Sequence, residues 1–239
     1  MKVKGDAVLL NSVRAADPDN RRQLVYTEVC AALMSGHFVP GQKITIRALA
    51  SAYGTSLTPV REALHRLVAE GVLEGEANRS VRVPVVTGAK LRELRDIRLA
   101  VEPLAAARAA ERIPLAEIVQ LRGIADELRA AREKGDVATD IDRLTEFQFK
   151  VYRASEMPTL MRTIEGLWLQ TGPYLKLLYP GYVRQLRARR GDWRERLCSA
   201  LERRDAEAAR REIQADVGEA LDYLATLADA ASFMGPRTA

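Results

Sequence analysis

The chain has 239 residues, 47% hydrophobic and 29% charged, a balance that suits one or two packed cores. It has no apolar run of about 18 residues and no apolar stretch near its N-terminus of the kind a secretory signal needs, so a cytoplasmic protein without a membrane partner is expected. Two cysteines, Cys30 and Cys198, are too few and too far apart for a disulfide framework or a zinc site. The net charge of +5 is divided between residues 1–86, with 11 Lys and Arg against 8 Asp and Glu, and the remainder, with 26 against 24. That mild basic bias is compatible with phosphate contact but does not establish it.

In chain order, residues 1–18 are polar and read as a flexible arm, closed by Asp17-Pro18-Asp19-Asn20 as a cap for the first helix. That helix is expected from about Arg21 to His37, with Val25, Val29, Ala32 and Leu33 on one face and a stop near Gly36 and Pro40-Gly41. Ile46, Leu49, Ala50 and Tyr53 mark a second, short amphipathic helix, and Gly54-Thr55-Ser56 supplies a tight turn. A third helix opens at Thr58, which can cap it, with Pro59 at the first helical position, where a missing N–H costs nothing. Val60, Leu64, Leu67 and Val68 face inward while Thr58, Arg61, Glu62 and Arg66 project elsewhere. Two helices joined by a tight turn are a helix-turn-helix, and polar groups at the start of its second helix are those that reach phosphates and base edges in the major groove. Val72-Leu73-Glu74 and Val81 to Val85 then read as strands around Asn78-Arg79-Ser80, a hairpin that would form a wing. The module spans roughly 19–86.

These residues resemble the GntR-type winged-helix regulators. The resemblance is carried by Ser35-Gly36-His37-Phe38-Val39-Pro40-Gly41, Leu49-Ala50, Gly54, Ser56 and the run from Thr58 through Leu67. It implies that Arg47, Ser56, Thr58 and Arg61 contact phosphates and bases, that Arg79 lies in the wing approaching the minor groove, and that the partner is a palindromic DNA operator bound by a homodimer. Leu57 departs from the pattern, standing where the family commonly carries a base-reading Arg, so the operator is expected to differ from the family's common one.

Beyond Val86, strands vanish and Leu/Ala/Arg/Glu-rich segments alternate with breaks at Pro114, Gly135, Pro158, Gly172-Pro173 and Pro180-Gly181. The fold class expected is therefore mainly α: an N-terminal winged helix-turn-helix, then an all-helical bundle over 87–232 and a tail at 233–239. Leu94, Ile97, Val101, Leu104 and Arg108 form one stripe; Ala206, Ala209, Ile213, Val217, Ala220 and Leu224 form another. The cluster Arg184, Arg187, Arg189 and Arg190 reads as a solvated face.

This second region is similar to the FCD ligand-binding domain of the FadR branch of that family. Arg98 to Ala105, Phe147 to Ser155 and Arg194 to Asp216 carry the likeness. The resemblance implies a small-molecule effector, in many members held beside a divalent metal whose ligand positions fall here on Leu144, Gln148, Arg194 and Asp216. Leu has no donor, Arg cannot be deprotonated and a Gln carbonyl is a weak ligand for a transition metal. The only histidines, His37 and His65, lie in the first module, so no metal and no cofactor are expected. The expected effector site is Arg98, Gln148, Arg194 and Asp216. Either Arg194 and Asp216 pair as a buried structural ion pair, or the Arg194 guanidinium grips an anionic effector, a carboxylate for example, in place of the metal. No nucleophile–base pair or phosphate-binding loop is visible, which disfavours an enzyme. The expected function is a ligand-responsive DNA-binding repressor; the alternative is a DNA-binding dimer whose helical domain is only a scaffold.

Overall fold

The structure, a computed structural model, describes residues 18–76, 80–179, 181–183 and 192–233. The chain divides into two compact units, residues 1–85 and 86–239. Arg79, the Arg184–Arg190 cluster, and all of the expected arm (1–18) and tail (233–239) except Pro18 and Phe233, which begin the first helix and end the last, lie outside the described residues.

The first unit contains α1 (Pro18–Met34), β1 (Lys43–Thr45), α2 (Ile46–Tyr53), α3 (Leu57–Ala69), β2 (Glu74–Glu76) and β3 (Ser80–Arg82). Helix α1 ends three residues before the expected His37, because Gly36 takes a left-handed conformation at φ 63°. Helix α2 is capped by the Thr45 side chain, which accepts from the Ala48 amide at 3.2 Å, and is closed by left-handed Gly54. Val25, Leu33, Phe38, Val60, Leu64 and Leu67 are fully buried and fix α1 against α3.

Helix α3 begins two residues earlier than its sequence suggests: Ser56, not Thr58, is the N-cap, and its side chain makes no capping bond. Pro59 is then the third helical residue. It is tolerated there because the first four helical amides have no intrahelical acceptor. The wing also shifts. Val72 and Leu73 are buried, and their amides return to the Leu67 carbonyl at 2.9 and 3.2 Å, closing the end of α3 rather than joining the sheet. The sheet is antiparallel with order β1-β3-β2, and Ile44 sits opposite Val81. Strand β1 has one buried residue among three, too short an alternation to announce itself.

The second unit holds α4 (Gly88–Arg112), α5 (Leu115–Lys134), α6 (Val137–Arg153), α7 (Pro158–Thr171), a 3₁₀ segment (Gly172–Leu178), α8 (Trp193–Glu202) and α9 (Ala206–Phe233). Helices α4 and α9 form the principal pair, and α5 packs on α6. Their approach is close at Gly88, where an added Cβ would fall on Asp229 and lie 2.8 Å from the Ala225 carbonyl oxygen. Arg204, itself at φ 56°, donates to the Ala110 and Ile113 carbonyls and satisfies the open end of α4.

The α9 stripe is buried at Ala209, Ile213, Val217 and Leu224, with Ala206 and Ala220 half-buried. The α4 stripe is corrected. Its buried face runs through Leu91, Leu94, Arg98, Glu102, Ala105 and Ala109, while Ile97 is 40% exposed and Arg108 lies outside. Apolarity alone selected the wrong face because the true one carries a buried ion pair at its centre.

Candidate functional sites: a recognition helix and a polar cavity

In the first unit, Ser56, Leu57 and Thr58 are exposed at the start of α3, Arg61 is half-exposed one turn on, and Arg47 is exposed in the first turn of α2. Other charges on α3 are engaged. Glu62 pairs with Arg22 at 3.0 Å. Arg66 donates to Glu70 at 2.8 Å and stacks on the Tyr26 ring at 3.8 Å, while the Tyr26 hydroxyl donates to Glu70 at 2.7 Å. That triad ties α3 to α1, so Arg66 is a brace and not a free cation. Among the described residues, Arg47 and Arg61 form no ion pair, and they border the exposed start of the helix.

The second unit encloses a cavity of about 40 Å³, roughly three times the volume that holds one water. Leu144, Gln148, Arg194 and Asp216, which come from α6, α8 and α9, all line it, as does Arg98 from α4. Those five positions are thus brought together from across the unit. Sequence reading missed Arg132 and Thr171, which line the wall together with Tyr179 and Tyr182, aromatic residues that helical spacing assigns more readily to a core.

The polar side is a chain of hydrogen bonds. Arg98, 5% exposed, grips Glu102 with two nitrogens and donates a third bond to Thr171 Oγ1 at 2.9 Å, its guanidinium 4.6 Å from the Trp168 ring centre. The Tyr152 hydroxyl donates to Glu102 at 2.6 Å and lies 3.2 Å from Gln148 Oε1. Gln148 Nε2 in turn donates to Asp216 Oδ2 at 2.8 Å. Across the cavity Arg132 holds Asp140 bidentately, both bonds 3.0 Å.

The expected Arg194–Asp216 ion pair is not formed. Arg194 Nη1 takes Asp192 Oδ1 at 3.2 Å instead, because Asp192 is the N-cap of the same helix and already accepts the Arg194 amide at 3.0 Å. Arg194 is 2% exposed, stacks on Trp193 at 4.6 Å and has no acceptor for its buried Nε. Burial and the neighbouring Arg132 push its pKa down. Burial raises the Asp216 carboxyl to about 6, against the opposing pull of Arg194, Arg132 and Arg98.

The donor set does not fit a transition metal. Gln148 is committed through its amide to Asp216, Arg194 cannot ligate, Leu144 has nothing to offer, and Asp216 alone remains. Two of the missed groups were within reach of pattern reading, since Glu102 is four residues from Arg98 and Tyr152 four from Gln148, each one helical turn away. Arg132 and Asp140 meet across the turn at Gly135, with no periodic signal to link them.

Known proteins agree with this organisation. Residues 21–83 match the model of bacterial regulatory proteins of the gntR family, and residues 93–218 match the FCD domain. The HTH-type transcriptional regulator McbR of Escherichia coli (strain K12) is 37% identical over 147 residues, covering 62% of this chain and 66% of that protein. The Nta operon transcriptional regulator of Aminobacter aminovorans is 34% identical over 136 residues, covering 56% and 63%. The chain thus spans less than two thirds of these curated relatives. The solved structure of E. coli McbR/YncC superposes with a TM-score of 0.79 at 30% identity, covering 86% of this chain and 97% of that one. A regulator structure from Rhodococcus sp. RHA1, at 20% identity and a TM-score of 0.65, shares the fold. With both units matched in this order, the chain belongs to the GntR family of bacterial regulatory proteins, as a member with an FCD domain.

Proposed function

We propose that this protein is a DNA-binding transcriptional repressor that acts as a homodimer on a palindromic operator and is released or retained by a small molecule held in the helical cavity. Arg47, Ser56, Thr58 and Arg61 would contact the duplex, with Arg79 in the wing as a further contact. The observation that carries this reading is the exposed polar start of α3, flanked by two cations with no ion pair among the described residues, while the neighbouring charges of α3 are tied to α1 and to one another. Two-fold symmetry follows from the physics of readout, since one recognition helix reads a half-site. The protein acts by binding and not by catalysis. Among the described residues no helix is long and apolar enough to cross a membrane, in keeping with a cytoplasmic site of action.

The ligand would be bound by Gln148, Arg194 and Asp216, with Arg98 supporting them from behind through Glu102 and Tyr152. It can change operator affinity only by favouring one of two arrangements of the dimer. Selection of operators from a randomised duplex pool, followed by mobility-shift titration at several salt concentrations, tests the reading. A palindromic consensus with salt-dependent affinity is expected; failure to enrich any sequence would overturn it.

A further inference from the structure

The charges around the cavity do not suit a simple anion. Arg98 is balanced by Glu102, Arg132 by Asp140 and Arg194 by Asp192. Asp216 is left over, its one hydrogen bond among the described residues coming from the neutral amide of Gln148. A bare carboxylate entering this space would add a second unbalanced negative charge to a buried site, which is costly. Two charged groups that retain bonding capacity are nevertheless opposite in sign, and the buried Trp168 indole N–H on the same wall is also without an acceptor. Arg194 is 98% buried, lines the cavity and has an Nε without an acceptor; Asp216 lines the same cavity and keeps one carboxylate oxygen to spare. They face one space without bonding to each other, which leaves a donor and an acceptor for a guest carrying the complementary pair.

We infer that the ligand is a small zwitterion, an α-amino acid with an aliphatic side chain, its carboxylate on Arg194 and its ammonium on Asp216. The net charge it brings is zero, so the buried balance is preserved while both half-satisfied groups gain charge-assisted bonds. Leu144, Leu175, Leu178, Leu221 and Leu224 form an apolar part of the wall, which receives the side chain. At about 40 Å³ the empty cavity is smaller than such an amino acid, so binding requires the lining side chains to move apart, and a coenzyme-sized guest would require far more. Arg98, with three donors already spent on Glu102 and Thr171, holds the wall in place and does not serve as the anion anchor. This inference rests on the reading of the cavity as the effector site and narrows its ligand class.

Calorimetric titration of the full-length protein near neutral pH tests it, with leucine, valine and methionine as probes beside two cut-down analogues of leucine: isocaproate, which lacks the ammonium, and isoamylamine, which lacks the carboxylate. At least one amino acid should bind about tenfold or more tighter than either analogue, since a site built to pair a polar group rejects the analogue lacking it. Asp216→Asn, which retains an acceptor for Gln148, should erase the preference over isocaproate. Arg194→Gln should abolish binding of every carboxylate, its folding checked by thermal melting. Isocaproate binding as tightly as leucine, a preference that survives Asp216→Asn, or no binding by any of the three amino acids would each overturn the inference. Mobility shifts with the same compounds keep the two ideas apart. An operator released by isocaproate but not by amino acids would leave the regulatory reading standing and sink this one, whereas a protein that retains no operator at all would sink the former.

Discussion

The two units use arginine in opposite ways. In the winged unit Arg47 and Arg61 stay at the surface without ion pairs among the described residues, while Arg66 is spent on bracing α3 to α1. In the helical unit Arg98 and Arg194 are at least 95% buried, with carboxylates and aromatic rings around them. A surface arginine keeps its water until DNA displaces it, so its energy is realised in binding and its removal leaves the fold intact. A buried one has already lost its water, so what it pairs with inside is committed to the fold, as Arg98 is to Glu102, while Arg194 keeps one unpaired donor. The proposed DNA contacts of one unit and the support of the other are separated by substitution.

The largest effect is expected on the buried side. Glu102 is fully buried and is the counter-ion of Arg98, so Glu102→Ala strands a guanidinium inside the helical unit at a cost of about 3–5 kcal/mol. Thermal unfolding should show a drop of many degrees confined to the helical unit's transition. A variant melting with the wild type would mean that Arg98 finds another partner or reaches water. Arg61→Ala makes the opposite contrast: it should leave the melting curve unchanged and lower operator affinity roughly tenfold, on the scale of one lost charged contact of about 1–3 kcal/mol. Equal mobility-shift curves at low and high salt would remove Arg61 from the contact surface.

That contrast also explains what was legible beforehand. The winged unit is built from local signals: Pro40-Gly41, the turn at Gly54, and the run from Thr58 to Leu67 each specify their neighbours within a few residues. Helix order and the buried face of α3 could therefore be read directly, while the set Arg47, Ser56, Thr58 and Arg61 came through resemblance and lies exposed or half-exposed. The cap was misplaced by two residues because Ser56 and Thr58 are both good caps by composition, and only the backbone path chooses between them. In the helical unit the cavity positions Leu144, Gln148, Arg194 and Asp216 were reachable through resemblance, but their bonds were not. Arg194 and Asp216 look like partners until Asp192 is seen as a nearer one, offered by the turn that starts α8. The buried face of α4 was hidden for the same reason, since a stripe containing Arg98 and Glu102 does not look like a core.

A finer probe of the surface unit is Leu57, 38% exposed at the first position of α3. Leu57→Arg places a bidentate donor where there is now an apolar side chain, and a good guanine contact is worth roughly 1–3 kcal/mol of discrimination. Operator selection with this variant should gain guanine at one position in each half-site, with melting unaltered. Identical consensus sequences from wild type and variant would place Leu57 away from the bases.

The smallest effect is the most diagnostic of the buried unit, because it is a change of slope with pH. Burial raises the Asp216 carboxyl to about 6 from the ordinary value of 3.8. The folded protein therefore holds that proton more tightly than the unfolded chain, so the group favours folding fully below about pH 4, and the benefit is lost as pH rises through about 6. Asp216→Asn stays uncharged at every pH. The variant should match the wild type near pH 4, then become the more stable of the two above about pH 6, by an amount on the order of 1 kcal/mol once water within the cavity is allowed for. The quantity to measure is the difference in Tm between variant and wild type across that window, because the difference cancels the titration of every other carboxylate. A difference that stays flat with pH would mean that Asp216 is well solvated or firmly paired, and an aliphatic amino acid should restore the wild type's deficit by supplying the missing ammonium.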